Sequence, residues 1–346
     1  MSDDLTKPTS HQLPERRSNM KITLRHRIEY ILTYGLLKIM RLIGIDAASY
    51  LSGKLLRLIG PFLRGISRRS EENLARIYPD WEEKKIKQVT ADVWENLGRV
   101  GGEFAHFDKF SATWDVEDMR AKLKRVEKIH DIDPAIINKI QSQFQPTGEN
   151  ARIKLEASED FLAVLAQGKT AIYVTGHFAN WEVMSVVCSY FHIPCAILFR
   201  ATNNGLIDEL IIKTRSVNIN QWQIPKGPEG YRSFIDALKQ GYSMGILADQ
   251  KFNAGIKIPL MGHDAMTPTA PTRMAIHHDV PIIPISVRRL KGANFVMTAH
   301  DRIDIPSEGD LATRIKIGSI RINEFLSDTI NEDPSQWLWL HRRWGK

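Results

Sequence analysis

After residue 160, short apolar runs alternate with amphipathic stretches along the chain. The runs are rich in β-branched and aromatic residues and too short for helices, so they predict buried strands. These strands are residues 170–175, 194–199, 244–248, 281–287 and 294–299. Helical spacing separates them, in residues 183–190, 206–217, 230–239 and 269–278. The alternation predicts an α/β fold with a mostly parallel sheet flanked by helices.

The pattern near the amino terminus is different, because apolar residues recur there among basic ones. Residues 28–45 are mostly apolar, and as a helix they would be about 27 Å long, just short of the ~30 Å hydrocarbon core of a bilayer. This stretch contains Glu29, Lys38 and Arg41, and a second apolar stretch covers residues 47–63. The pattern fits a helix that lies on a bilayer, a helix that crosses it, or a buried amphipathic hairpin of a soluble protein.

These patterns divide the chain into three parts. We predict a polar tail over residues 1–20, a basic amphipathic membrane-anchoring helical segment over residues 21–66, and an α/β domain over residues 67–346. Within that domain, residues 120–150 are typical of a charged helical insert that is broken by prolines. The sequence assigns no role to this insert.

The net charge of +7 belongs to the amino-terminal part of the chain. Residues 1–70 hold 13 Lys and Arg against 5 Asp and Glu, whereas residues 71–346 hold 34 against 35. A basic groove for nucleic acid across the body of the protein is therefore not expected. A basic arm rich in Leu and Ile instead favours an anionic membrane surface. Arg16, Arg17 and Lys21, before the first apolar stretch, suit a cytoplasmic amino terminus.

The two cysteines, Cys188 and Cys195, lie in apolar surroundings. They are expected to be reduced core residues of a cytoplasmic fold. The sequence shows no metal-ligand spacing, nucleotide-binding loop or cleaved signal sequence. We therefore predict no metal and no cofactor.

A short polar motif follows the first predicted strand. His177 comes directly after Gly176, and Glu182 stands five positions later, near the start of the next predicted helix. A neutral imidazole suits proton abstraction near pH 7, and a carboxylate on its other ring nitrogen fixes its tautomer. We predict that Glu182 folds back to orient His177 in the turn before the helix. The alternative is a buried histidine bonded to a backbone carbonyl, with Glu182 on a solvated helix face.

This motif, Gly-His-Phe-Ala-Asn-Trp-Glu, resembles the His-x4-Asp/Glu block of glycerolipid acyltransferases. Its form is similar to that of the late acyltransferases of lipid A, the lauroyl and myristoyl transferase family. Further blocks resemble this family in the same order along the chain. They are residues 73–79, 94–99, 199–204, 248–250 and 337–344.

The resemblance implies an acyl carrier protein dependent O-acyltransferase. It would take a fatty acyl chain from the thioester of acyl carrier protein and attach it to a hydroxyl of a glucosamine-based lipid A precursor. The general base would be His177 with Glu182. The resemblance also implies a membrane enzyme at the cytoplasmic face of the bacterial inner membrane.

Further candidate site residues come from the matching blocks. Arg200 and Asn204 match residues that are thought to engage the phosphorylated acceptor in this family, and Arg215 is a candidate of the same kind. Asp249 matches an acidic position of the family, and it could bond acceptor hydroxyls, bond the catalytic histidine, or cap a strand end. The family often has a second acidic residue two positions later, where this chain has Lys251, which argues against a metal or paired-carboxylate role.

Two other functions fit parts of the pattern. A transferase acting on lysophosphatidic acid or another glycerolipid would use the same His-x4-acid motif. Trp181 and the carboxyl-terminal block favour a lipid A acyltransferase over a glycerolipid acyltransferase. A non-catalytic membrane scaffold would need no more than the basic arm.

Overall fold

A computed structural model of the chain describes residues 22–143, 151–216 and 222–345. The predicted polar tail, the basic residues Arg16, Arg17 and Lys21, and the end of the predicted insert lie outside the described residues. The described helices are α1 (Leu24–Leu42), α2 (Ile45–Ile59), α3 (Arg64–Ile77), α4 (Glu83–Phe104), α5 (Val116–His130), α6 (Pro134–Gln143), α7 (Glu159–Ala166), α8 (Val183–Tyr190), α9 (Gly205–Ser216), α10 (Pro228–Lys239), α11 (Ala270–His278) and α12 (Leu311–Glu332). The described strands are β1 (Ala112–Trp114), β2 (Ile153–Ala157), β3 (Ile172–Thr175), β4 (Cys195–Phe199), β5 (Trp222–Pro225), β6 (Ser243–Leu247), β7 (Ile256–Leu260), β8 (His263–Thr267), β9 (Ile282–Arg289) and β10 (Phe295–Ala299).

Eight of these strands form one sheet in the order β1, β2, β10, β9, β3, β6, β4, β5. The five strands from β9 to β5 run parallel to one another, and so do β1, β2 and β10. The two groups meet in an antiparallel pair, β9 with β10. Helices cover the sheet, so the predicted mostly parallel, helix-flanked α/β fold is confirmed.

Both faces of the sheet are buried. Along β3, Ile172 and Val174 pack into one core together with side chains of α3, α4 and α10 to α12, and Tyr173 packs into the other core with side chains of α5 to α8. Each of these three strand residues is at most 1% exposed. Burial on both faces explains why β3 is a continuous apolar run in the sequence and not an alternating one.

The strands and helices predicted after residue 160 are present, with ends shifted by at most two residues where the structure describes them. The sequence patterns do not predict β1, β2, β5, α7, α12 or the β7–β8 hairpin. β1 and β5 are 3 and 4 residues long, which is too short for a clear pattern. Met261 and Gly262 turn the hairpin, both with positive φ, without the Asn-Gly or Asp-Gly pair that usually signals such a turn.

The amino-terminal helices differ in how they join the body of the protein. α1 has no buried residue, whereas α2 packs closely against α4. Glycines in α4 permit this approach, since a Cβ at Gly102 would lie 2.4 Å from the carbonyl oxygen of Ala48. No helix in the described ranges is long and apolar enough to span a bilayer.

Candidate active site

The register of β3 and β6 places two polar side chains next to each other. These strands are parallel neighbours, and Thr175 pairs with Leu247 at their last residues. His177 and Asp249 each stand two positions beyond that pair. The carboxyl edge of the sheet therefore brings together two residues that lie 72 positions apart in sequence.

His177 and Asp249 form a buried hydrogen-bonded pair. Nδ1 of His177 lies 2.8 Å from Oδ1 of Asp249, and the backbone N–H of His177 donates to Oδ2, also at 2.8 Å. Because a carboxylate can only accept, the proton of the neutral ring stands on Nδ1 and the lone pair on Nε2. Gln250 is close to that second nitrogen, with its Nε2 at 3.4 Å from Nε2 of His177. This is the arrangement of a general base and its orienting acid.

Asp249 is fully buried and accepts a third hydrogen bond, from the indole Nε1 of Trp337 to Oδ2 at 2.8 Å. Burial by itself would raise the pKa of this carboxyl. The charge and hydrogen bonds of His177, together with the charge of the nearby His341, outweigh burial and hold the pKa well below its usual range. The carboxylate therefore stays ionised near pH 7 and can stabilise a protonated His177 ring.

The structure corrects the predicted pairing of His177 with Glu182. Glu182 instead binds Arg215 on α9, whose Nε donates to Oε2 at 3.1 Å and whose Nη2 donates to Oε1. The cause is the turn after β3, in which Ala179 takes a left-handed φ of 44° and Oδ1 of Asn180 accepts the N–H of Glu182. Glu182 thus enters α8 with its carboxylate toward α9. Of the roles considered for Asp249, the bond to the histidine is the one observed.

Two cations follow the carboxyl ends of the next strands in the sheet. Arg200 follows β4 and Lys226 follows β5, directly after the paired residues Phe199 and Pro225. Burial lowers the pKa of the Lys226 ammonium, the charge of Asp249 opposes this shift, and the charge of Arg200 adds to it. The Lys226 ammonium is therefore close enough to Asp249 and to Arg200 for both charges to act on it. Sequence position alone marked Arg200 as a site candidate, and the structure places it at the same edge of the sheet as His177.

Asn204, another predicted site residue, makes contacts within the protein. Its Nδ2 donates to the carbonyl of His26 at 2.9 Å and to Oε2 of Glu29 at 3.0 Å. Its Oδ1 accepts the N–H of Leu206 in the first turn of α9. Asn204 thus joins α9 to α1, and its contact with a substrate stays a prediction.

A buried charge network holds the loop that carries His177. Asn180 donates from Nδ2 to Oε2 of Glu103 at 2.8 Å, and Asn96 donates from Nδ2 to the carbonyl of Ala179 at 2.9 Å. Glu103 is fully buried and forms an ion pair with Arg289. Separating a buried ion pair leaves an uncompensated charge, which is costly. The Glu103–Arg289 pair therefore stays together and holds Asn180, and with it the loop after β3, in place.

The carboxyl-terminal block supplies residues near the site to which the sequence gave no role. Besides Trp337, the ring of His341 lies 6.5 Å from the ring of His177, and its Nδ1 donates to the carbonyl of Leu338 at 2.6 Å. Burial lowers the pKa of His341. The aromatic residues of this block indicate that it packs against the rest of the protein. The sequence does not show which of its side chains contact His177 and Asp249.

The described residues contain no group of three or more His, Cys, Asp or Glu side chains placed to hold a metal ion. Cys188 and Cys195 are buried and form no disulfide, and their burial is as the sequence predicts for core residues.

Comparisons with known proteins identify the family of the chain. Residues 17–346 match the model of a family described as bacterial lipid A biosynthesis acyltransferase. No curated protein matches significantly. Among solved structures, the 1-acyl-sn-glycerophosphate (LPA) acyltransferase PlsC from Thermotoga maritima is similar at 13% identity with a TM-score of 0.34, over 82% of this chain and 98% of that one. Because this match covers nearly all of the sequence, the chain belongs to the bacterial lipid A biosynthesis acyltransferases.

Proposed function

We propose that this acyltransferase moves a fatty acyl chain from the thioester of acyl carrier protein to a hydroxyl of a glucosamine-based lipid A precursor, with His177 as general base. The observation that carries the proposal is the buried bond between His177 and Asp249 at the carboxyl edge of the sheet. Sites in open α/β sheets form at this edge. Asp249 replaces Glu182 as the residue that orients the base.

The reaction follows from the tautomer of His177. Its Nε2 takes the proton of the acceptor hydroxyl, and the oxygen forms a bond to the thioester carbonyl carbon. The C–S bond then breaks, and the imidazolium returns the proton to the leaving thiolate. Asp249 keeps the proton of the resting ring on Nδ1 and stabilises the imidazolium. An ester and the free thiol of the carrier result, so no covalent enzyme intermediate is needed.

The cations beside the pair suit a phosphorylated acceptor. Arg200 offers a planar fork of donors and Lys226 a compact charge, and both can bind phosphate oxygens. Arg215 is held by Glu182 through Nε and one terminal nitrogen, so Nη1 takes no part in that pair. We assign Glu182 the role of fixing Arg215 beside the acceptor site.

The amino-terminal helices give a surface for docking on a membrane. Many large apolar side chains of α1, α2 and the turn after them are at least half exposed. They are Leu24, Ile28, Ile31, Leu32, Leu36, Ile39, Leu42, Leu51, Leu55, Leu58 and Phe62. An exposed apolar surface of this extent next to basic residues is typical of a membrane contact. We propose that this surface holds the enzyme on the cytoplasmic face of the bacterial inner membrane, where the lipid acceptor would lie.

Replacing His177 by alanine tests the proposal. The assay follows acyl transfer from acyl carrier protein thioester to a lipid A precursor in detergent micelles, with lysophosphatidic acid offered as a competing acceptor. Because a positioned base contributes about 10²–10⁴ in rate, His177→Ala is expected to lose activity by a factor of that order. His277→Ala, an exposed histidine on α11, is the matched control and should keep full activity. Near-full transfer by His177→Ala would refute the mechanism, and acylation of lysophosphatidic acid alone would refute the acceptor.

A further inference from the structure

Residues after α12 fold back across the edge of the sheet that carries the base. Phe178 and Trp337 form an isolated antiparallel bridge, and the N–H of Ala179 donates to the carbonyl of Gln336 at 2.7 Å. The loop that holds His177 is thus paired to a segment about 160 positions later in the chain. This backbone pairing sets the place of the Trp337 side chain relative to Asp249.

Trp337 puts one polar atom next to the catalytic pair. The residue is 1% exposed, and its indole Nε1–H donates to Oδ2 of Asp249 at 2.8 Å. Oδ2 also accepts the backbone N–H of His177, whereas Oδ1 faces Nδ1 of the ring. Two donors on one oxygen and one on the other fix the rotation of the carboxylate, so that Oδ1 stays directed at the ring.

The charged and titratable groups around Asp249 come from several elements. They are His177, His341, Arg343 and Lys226, each of which acts on the Asp249 charge. Burial lowers the pKa of Arg343 to about 10, and it stays charged at neutral pH. None of these groups is removed when Trp337 is changed, so a change in pH dependence can be assigned to the lost indole bond.

We propose that Trp337 is a positioning residue of acyl transfer, which holds Asp249 in the orientation that keeps His177 ready to act as a base. The inference rests on the proposed function of His177. Without the indole N–H, the carboxylate loses one of three donors and can rotate away from Nδ1. When the carboxylate does face the ring, its negative charge is neutralised by one hydrogen bond fewer, so it stabilises the protonated ring of His177 more strongly. A higher pH is then needed to remove the proton from Nε2 of the ring.

The test compares two tryptophans of the same block. Trp339 is fully buried like Trp337, but its Nε1 donates to the carbonyl of Pro334 at 2.7 Å and not to Asp249. Trp337→Phe is expected to lower kcat about tenfold to a hundredfold, since a hydrogen bond to a charged group is lost. KM should change little, and the acidic limb of the kcat–pH profile should move to higher pH. Trp339→Phe should keep the kcat and the profile of the natural protein per folded molecule.

A second variant keeps the test valid if Trp337→Phe does not fold. Replacing Trp337 by benzothienylalanine, in which sulfur takes the place of the indole N–H, keeps the ring size and removes only the donor. The same fall in kcat and the same shift of the acidic limb are expected. Equal kcat and an unmoved profile in a folded 337 variant would overturn the proposal. His177→Ala then separates the two hypotheses. If His177→Ala were also fully active, the proposed function would be refuted as well. If His177→Ala were inactive, only the positioning role of Trp337 would be refuted.

Discussion

The substitution Asp249→Asn tests whether Asp249 orients His177 as a general base or is only part of a buried polar cluster. The amide supplies one acceptor oxygen and one NH2 group for three donors, namely Nδ1–H and N–H of His177 and Nε1–H of Trp337. With the oxygen in the place of Oδ2, the NH2 group faces Nδ1, and the ring proton must move to Nε2. With the oxygen in the place of Oδ1, two buried donors face an NH2 group.

The first orientation is the more stable one, and it removes the base. Each unpaired buried donor costs about 1–3 kcal/mol, so two of them disfavour the second orientation by about 2–6 kcal/mol. The base-competent tautomer then falls to about one part in 30 or less. Since loss of the base is limited to about 10²–10⁴ in rate, we expect kcat to fall by about 30-fold to 10⁴-fold.

Transfer from acyl carrier protein thioester measures this effect, with circular dichroism to confirm that the variant is folded. Asp264→Asn is the matched control, because Asp264 forms an exposed ion pair with Lys257 and lies on the β7–β8 hairpin. It should keep the activity of the natural protein. A folded Asp249→Asn enzyme with a kcat within threefold of that of the natural protein would show that Asp249 does not set the tautomer of His177.

Two further predictions concern Glu182 and the amino-terminal helices. Because Glu182 binds Arg215, the losses of kcat/KM in Glu182→Gln and Arg215→Gln should be strongly non-additive in a double-mutant cycle. Additive losses would mean that Glu182 does not act through Arg215. Replacing the exposed Leu32 and Ile39 of α1 by Glu should weaken binding to phosphatidylglycerol vesicles about tenfold or more in a sedimentation assay. The same change at the exposed Leu311 should leave vesicle binding as it is, and equal binding by both proteins would refute the membrane surface.

The sequence was sufficient to predict the strands whose ends carry the site. β3 is buried on both faces and the first three residues of β6 are buried, so both strands appear as short apolar runs with a polar residue two positions after the end. Parallel strands place such residues at one edge, and both His177 and Asp249 could be named on that ground. The spacing of the family motif and the chemistry of imidazole then predicted His177 as the general base.

The partner of the base could not be derived in the same way. Sequence order suggests that β3 and β4 are neighbours, but β6 lies between them. Which strand takes this place depends on tertiary packing of the crossover helices and not on local pattern. The left-handed backbone at Ala179 is a second reason, because it turns Glu182 away from His177 and no glycine marks the position. The bond from Trp337 spans 88 positions and leaves no local signal at all.

The distances in sequence between His177, Asp249 and Trp337 have a consequence for folding kinetics. This hydrogen-bonded group is assembled from segments 72 and 88 positions apart, so its formation requires the closure of long loops. The backbone hydrogen bonds of helices such as α5 and α7 join residues four positions apart, so these helices can form much earlier. On refolding, recovery of acyl transfer should therefore lag behind recovery of helical signal, and a compact species that has not yet docked residues 334–344 would hold His177 without its fixed acceptor.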